Sequence, residues 1–249
     1  MKTMKKRIFA GAVCEQIVYN VSDRAADPKK APAQPRFKNE NERAEHRRGI
    51  ARRSCARKVN ANFDTGSMFS TLTCDMEHEL VYWDDAKRVM ENYVRRLKRA
   101  CPEAKIMIFK GRGKNTHRIH FHMISDGIPK EIISRKWTEG EVIRCDNLRS
   151  HNYFNGVDQG QDYTALAYYC FDHFTEDQGG HYYFQTRNIK EPEAEQPTEC
   201  IWRYSPERPP IAPKGFKYSY CNYNKYGYMC FHYVKEPEKK HRGRKKKED

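Results

Sequence analysis

Two histidines set one residue apart, His120 and His122, are the clearest chemical signal in the chain. They lie in His117-Arg-Ile-His-Phe-His-Met-Ile124 and flank the bulky apolar Phe121. Side chains alternate faces along a β-strand, so His120 and His122 point the same way and Phe121 points into the layer behind. Two imidazoles about 7 Å apart on one strand face can converge on a single metal ion. Arg118 shares that face one step earlier, and in a regular strand His117 falls on the opposite face. An H-x-H pair on its own is more often a surface or interface feature than a metal site. Its weight depends on what surrounds it.

A second signal is Tyr169, with His173 four residues on. Residues 162–174 read as a helix in which Tyr163, Leu166, Ala167, Cys170, Phe171 and Phe174 share one face. Tyr169 and His173 lie off that face, one turn apart. Asp162 and Glu176 are near them, and Tyr168 lies on the other flank. In isolation an exposed tyrosine of this kind is an ordinary amphipathic surface residue.

The elements that must position these groups are readable on either side. Met68–Thr73 is a β-branched and aromatic run that reads as a strand. An amphipathic helix follows, with Asp84 or Asp85 as its cap and Ala86, Val89, Met90, Tyr93, Val94 and Leu97 as its core stripe; Pro102 marks its end. Ile106–Phe109 is a second strand. Lys110-Gly-Arg-Gly-Lys-Asn-Thr116 joins it to the histidine strand, giving a β-hairpin. The glycine loop lacks the Walker spacing. Lys110, Arg112 and Lys114 are expected to stand beside the metal face, where a nucleic-acid phosphate could sit. Further on, 129–137 reads as a short helix and 141–145 as a strand.

The flanks are less regular. Ile8–Val21 is expected to form one strand or a loosely docked segment, and Asp27–Arg36, with its prolines, reads as a linker. Residues 39–58 suggest a helix whose second half is strongly basic. A glycine turn and strand are expected over 179–189. A proline-rich connector over 190–213 precedes an aromatic hairpin, 216–234, turning near Asn224–Gly227. Cys221, Cys230 and His232 in that hairpin have poor spacing for a metal. The domain boundaries this implies are 1–35 for an extension and linker, 36–192 for the main domain, 193–235 for the connector and hairpin, and 236–249 for a disordered basic tail.

Lysine and arginine outnumber aspartate and glutamate by 47 to 33, a formal charge of +14 over 249 residues. This balance favours a polyanionic partner, nucleic acid first. Nine scattered cysteines form no C-x-x-C and read as reduced thiols of a cytoplasmic protein. No run approaches the roughly 18 apolar residues of a membrane span. The short apolar run after Arg7 meets Glu15 and has no cleavage-site pattern, so export is not expected.

Taken in order, Phe69-Ser-Thr-Leu-Thr73, Arg118-Ile-His-Phe-His122, the Tyr168-Tyr169 helix and Thr186-Arg-Asn-Ile-Lys-Glu-Pro192 form a pattern. It resembles the HUH endonucleases, in particular the rolling-circle replication initiators of plasmids, phages and integrative elements. The resemblance covers roughly residues 36–192. It implies an α+β fold: an antiparallel sheet with helices packed on one face and the metal on the other. It also implies a single-strand DNA nickase-ligase of origin DNA, single-stranded or hairpin, acting with a host helicase and DNA polymerase and without a membrane. On this resemblance His120 and His122 hold Mg²⁺ or Mn²⁺, with imidazole better suited to Mn²⁺, and Tyr169 is the nucleophile, with Tyr168 as the competing candidate.

The sequence departs from the family at two places. Many relatives carry a lysine after the tyrosine, where this chain has Asp172 and His173. Many also take a third ligand, often Glu, from the preceding strand, where the comparable position here is Lys110. His173 either takes the place of the relatives' lysine or serves as a metal ligand; the third ligand stays open between His173 and His117, with His117 disfavoured by strand parity. A single-tyrosine transposase, a conjugative relaxase or a non-catalytic basic nucleic-acid-binding protein are the alternative expectations.

Overall fold

The apolar runs in the middle of the chain form an antiparallel sheet buried on both faces. The computed structural model describes residues 2–21, 39–80, 82–113, 118–173, 181–224 and 227–236. Strands β1 (Lys2–Ala10) and β2 (Val13–Val21) form a hairpin. They are followed by α1 (Glu40–Asn62), β3 (Met68–Cys74), α2 (Trp83–Ala100), β4 (Lys105–Arg112) and β5 (Ile119–Asp126). Next come α3 (Lys130–Lys136), β6 (Gly140–Asn147), the short hairpin of β7 (Tyr153–Phe154) and β8 (Val157–Asp158), and α4 (Thr164–Asp172). The two-residue strands β9 (Phe184–Gln185), β10 (Glu193–Ala194) and β11 (Thr198–Glu199) lead to the closing hairpin, β12 (Phe216–Tyr223) and β13 (Met229–Lys235). The protein is therefore a mixed α+β chain with antiparallel sheets and, among the described residues, four helices.

The first sheet has the order β6-β3-β5-β4-β9. Leu72, Ile106, Ile108, Phe121 and Met123 point to one face and pack on Ala86, Met90, Tyr93 and Leu97 of α2 and Ile133 of α3. Phe69, Met107, Phe109 and Ile124 point to the other face and pack on Cys55, Ala56 and Val59 of α1 and Ala167, Cys170 and Phe171 of α4. The expectation of helices on one face is thus corrected: α1 and α4 cover much of the face that carries the histidines. The cause is that β3, β4 and β5 are apolar on both sides, as fully buried strands are. The α2 cap is also corrected. Tyr82 occupies that position without a side-chain bond, and Asp84 and Asp85 lie in the first turn, where a carboxylate meets the positive end of the helix dipole.

The second sheet has the order β10-β1-β2-β13-β12, with β11 also on the edge of β1. Residues 2–21 are therefore two strands, not one, and they pair with the C-terminal hairpin across more than 200 residues of sequence (Val13 opposite Val234). The extension and the aromatic hairpin are two halves of one sheet. One face buries Cys14, Val18, Phe231 and Tyr233 under Cys200 and its neighbours. The opposite face meets α1, where Glu15 takes a salt bridge from Arg57 at 2.5 Å and His232 Nε2 bonds the Asp162 carboxylate at 2.8 Å. His232 is thereby committed to a carboxylate. Gly11 turns the β1–β2 hairpin with φ +59°, and a Cβ there would lie 2.1 Å from the Asn60 carbonyl oxygen. The hairpin tip abuts the end of α1 too closely for any residue but glycine.

Of the predicted 179–189 strand, Phe184–Gln185 alone pairs among the described residues, on the edge of β4. The Asp27–Arg36 linker and the tail beyond Glu236 lie outside the described residues.

Candidate functional site

β5 sits between β3 and β4, with His122 opposite Thr71 and Phe109, and His120 opposite Thr73 and Gly111. Directly opposed residues share a face, so these groups form one patch with Phe69 and Ile124. Phe69 stacks on the His122 ring at 5.6 Å between centroids. Thr71 Oγ1 lies 3.2 Å from His122 Nδ1 and fixes the ring from behind. His122 is 3% exposed, and its Nε2 is buried without a hydrogen-bond partner.

The third imidazole comes from α4. His173 caps the helix, and its Nδ1 donates to the Tyr169 carbonyl at 2.7 Å. A carbonyl can only accept, so Nδ1 carries a proton and Nε2 is the nitrogen left to ligate. The ligand atoms of His120, His122 and His173 all lie within 4.8 Å of one another. Their ring centroids are 4.7 to 5.4 Å apart. Burial, then the neighbouring histidines, pushes His122 down to about 3. Burial and His173 also lower His120. Both are therefore neutral near pH 7, the form that ligates metal.

Gly111 makes the cluster sterically possible. A Cβ at this position would lie 3.0 Å from His120 Nε2 and 3.0 Å from His173 Cβ. A glycine inside a strand often marks such a close approach. β4 supplies no ligand because the residues it places opposite the histidines are Phe109 and Gly111. Lys110, taken from the sequence as the comparable position, lies opposite Phe121 on the other face.

Tyr169 reaches the same patch. Its ring is 4.5 Å from His173 and 5.2 Å from His122, and the residue is 51% exposed. Tyr168 turns away, with the Arg52 guanidinium 3.6 Å above its ring. Burial raises the Tyr168 hydroxyl to about 12. Arg52 also grips Asp172 with two nitrogens at 2.6 and 2.9 Å, tying α1 to α4 beside the site. Of the two tyrosines, Tyr169 alone faces the histidines.

Two of the cations expected beside the metal face are placed differently. Lys110 and Arg112 fall on the α2 face, 5.5 and 5.0 Å from the Trp83 ring centroid. Strand parity dictates this, since both share the parity of Ile106 and Ile108. Arg118 precedes β5 and pairs with Glu79 at 3.3 Å. Lys114 and His117 lie outside the described residues. Sequence reasoning missed Gly111, Thr71 and the Arg52–Asp172 clasp. A glycine within a strand and a threonine two residues from Thr73 were the available signals for the first two.

Three imidazoles, one with an orphaned buried nitrogen, fit a divalent ion. An all-nitrogen set is less suited to Mg²⁺, which prefers oxygen ligands, than to Mn²⁺ and the later divalent ions. No helix among the described residues is long and apolar enough to cross a membrane. Comparison with family models, with curated proteins and with solved structures gives no match.

Proposed function

We propose that this protein is a metal-dependent nickase and ligase of single-stranded DNA that starts rolling-circle replication at an origin. The observation that carries the reading is the convergence of His120, His122 and His173 with Tyr169 on one sheet face. The ordered sequence motifs and the charge of +14 support a nucleic-acid substrate. A divalent ion held by the three histidines, Mn²⁺ in preference to Mg²⁺, would supply Lewis-acid polarisation of a phosphodiester.

The chain's own residues do the rest. Tyr169 Oη forms a bond to phosphorus, and the bond from phosphorus to the 3′ oxygen breaks. The tyrosine gives up its proton and the departing 3′ oxygen takes one, leaving a 5′-phosphotyrosine and a free 3′-OH. That hydroxyl would prime a host polymerase working with a host helicase. Its return attack on the phosphotyrosine rejoins the strand. Thr71 holds His122 in orientation, and Arg52, through Asp172, holds α4 so that Tyr169 and His173 stay over the sheet.

The test separates binding from chemistry. His120→Ala and His122→Ala should lose cleavage of a labelled origin oligonucleotide while still binding it, and Tyr169→Phe should form no covalent product. Cleavage that survives Tyr169→Phe would defeat the reading.

A further inference from the structure

We propose that the cleft between α1 and the second sheet holds the single strand flanking the nick. The proposal rests on the nickase reading above. The cleft encloses about 610 Å³, within the range of about 300–1,000 Å³ typical of ligand sites. Its floor is the small apolar cluster of Ile8, Ile17 and Cys230, on which Tyr19 and Tyr228 pack. Lys6 of β1 and Arg53 and Arg57 of α1 line it, together with Tyr19 and Tyr228. Aromatic rings interleaved with cations are what a strand without sequence-specific contacts requires: bases stack and phosphates pair. A duplex offers no free base faces to such rings.

The charges are not all available. Arg57 is bound to Glu15, and Glu45 lies on the wall. Lys6 and Arg53 are the two cations that a phosphate would meet. Arg53 lies 5.8 Å from the Tyr228 ring, so one guanidinium can serve a phosphate while the ring beside it takes a base.

Neighbouring residues of α1 link the cleft with the histidine site. Arg52 and Arg53 are adjacent on α1. The first stacks on Tyr168, next to Tyr169, and the second opens into the cleft. On this proposal a strand leaving Tyr169 passes Arg52 and enters the cleft at Arg53.

The experiment is fluorescence anisotropy with poly-dT oligonucleotides of increasing length, across a salt series, on the full chain and its Lys6→Gln, Arg53→Gln and Tyr228→Ala variants. Thermal melting of each variant confirms folding, and Tyr228→Phe keeps the ring if Tyr228→Ala is unstable. For the long oligonucleotides, each lost cation should reduce the slope of log affinity against log salt by about 0.7. Tyr228→Ala should weaken binding about tenfold and Tyr228→Phe should not. The shortest oligonucleotides should show neither effect. Wild-type affinity and slope in Lys6→Gln and Arg53→Gln would overturn the proposal, as would equal displacement of the DNA by poly-glutamate. An adduct on Tyr169 with unchanged variant affinities leaves the nickase and removes the cleft. Length-dependent binding through Arg53 with no adduct leaves the cleft and removes the nickase.

Discussion

Gly111→Ala tests whether the histidine cluster is a built metal centre. The added methyl would meet His120 Nε2 and His173 Cβ at 3.0 Å and His173 Cδ2 at 3.1 Å. Ordinary contact begins near 3.4 Å, so each ring must retreat by about 0.4 Å, whereas metal–ligand distances tolerate about 0.2 Å. The methyl touches two of the three ligands at once, and both must move. The expected loss of Mn²⁺ affinity is about 10- to 100-fold, the scale seen when ligand orientation is disturbed. Alanine in place of glycine inside a strand otherwise adds about 0.5–1 kcal/mol of stability, against about 1–3 kcal/mol for overpacking. The melting temperature should therefore hold or fall slightly. Isothermal titration of Mn²⁺ into wild type and variant, with melting curves of both, reads the two effects separately. A variant that binds Mn²⁺ within twofold of wild type and melts higher would refute the steric argument.

Two further predictions concern the junction between the sheets. Glu15→Ala strands the largely buried Arg57 beneath the second sheet and should cost about 3–5 kcal/mol in urea unfolding, with Glu15→Leu plus Arg57→Met recovering most of it; a loss under about 1 kcal/mol would mean that water replaces the pair. Burial alone would raise Asp162, but hydrogen bonds from His232 and Thr164 outweigh it and leave the carboxyl below its ordinary 3.8. A depressed carboxyl stabilises the fold above that ordinary value, and the contribution disappears as pH falls through the folded one. Melting curves should therefore show an acid-range decline below about pH 4 that flattens in Asp162→Asn, and an equal decline in both proteins would contradict the assignment.

The strands of the first sheet, the helices α1, α2 and α4 and the shared face of His120 and His122 were legible because they follow local periodicity. The His173–Tyr169 pairing was legible from helical spacing. Which face of β4 meets the histidines was not. The run Ile106-Met-Ile-Phe109 is apolar on both sides, so alternation gives no sign, and the register of the hairpin had to decide between Lys110 and Gly111. The second helical layer was hidden because α1 reads as a basic surface helix. It nevertheless buries Cys55, Ala56, Val59, Asn60 and Asn62. The joining of residues 2–21 to the C-terminal hairpin is a pairing between distant segments, and no local pattern encodes its partner.

The most direct test of the central claim is the covalent product. Purified protein is incubated with pooled labelled single-stranded oligonucleotides, with Mn²⁺ or with EDTA, and the modified peptide is mapped by mass spectrometry. The account predicts an adduct that requires Mn²⁺ and lies on Tyr169. An adduct on Tyr168 would keep the reaction and overturn the nucleophile, and tight binding with no adduct on any oligonucleotide would contradict the enzyme itself.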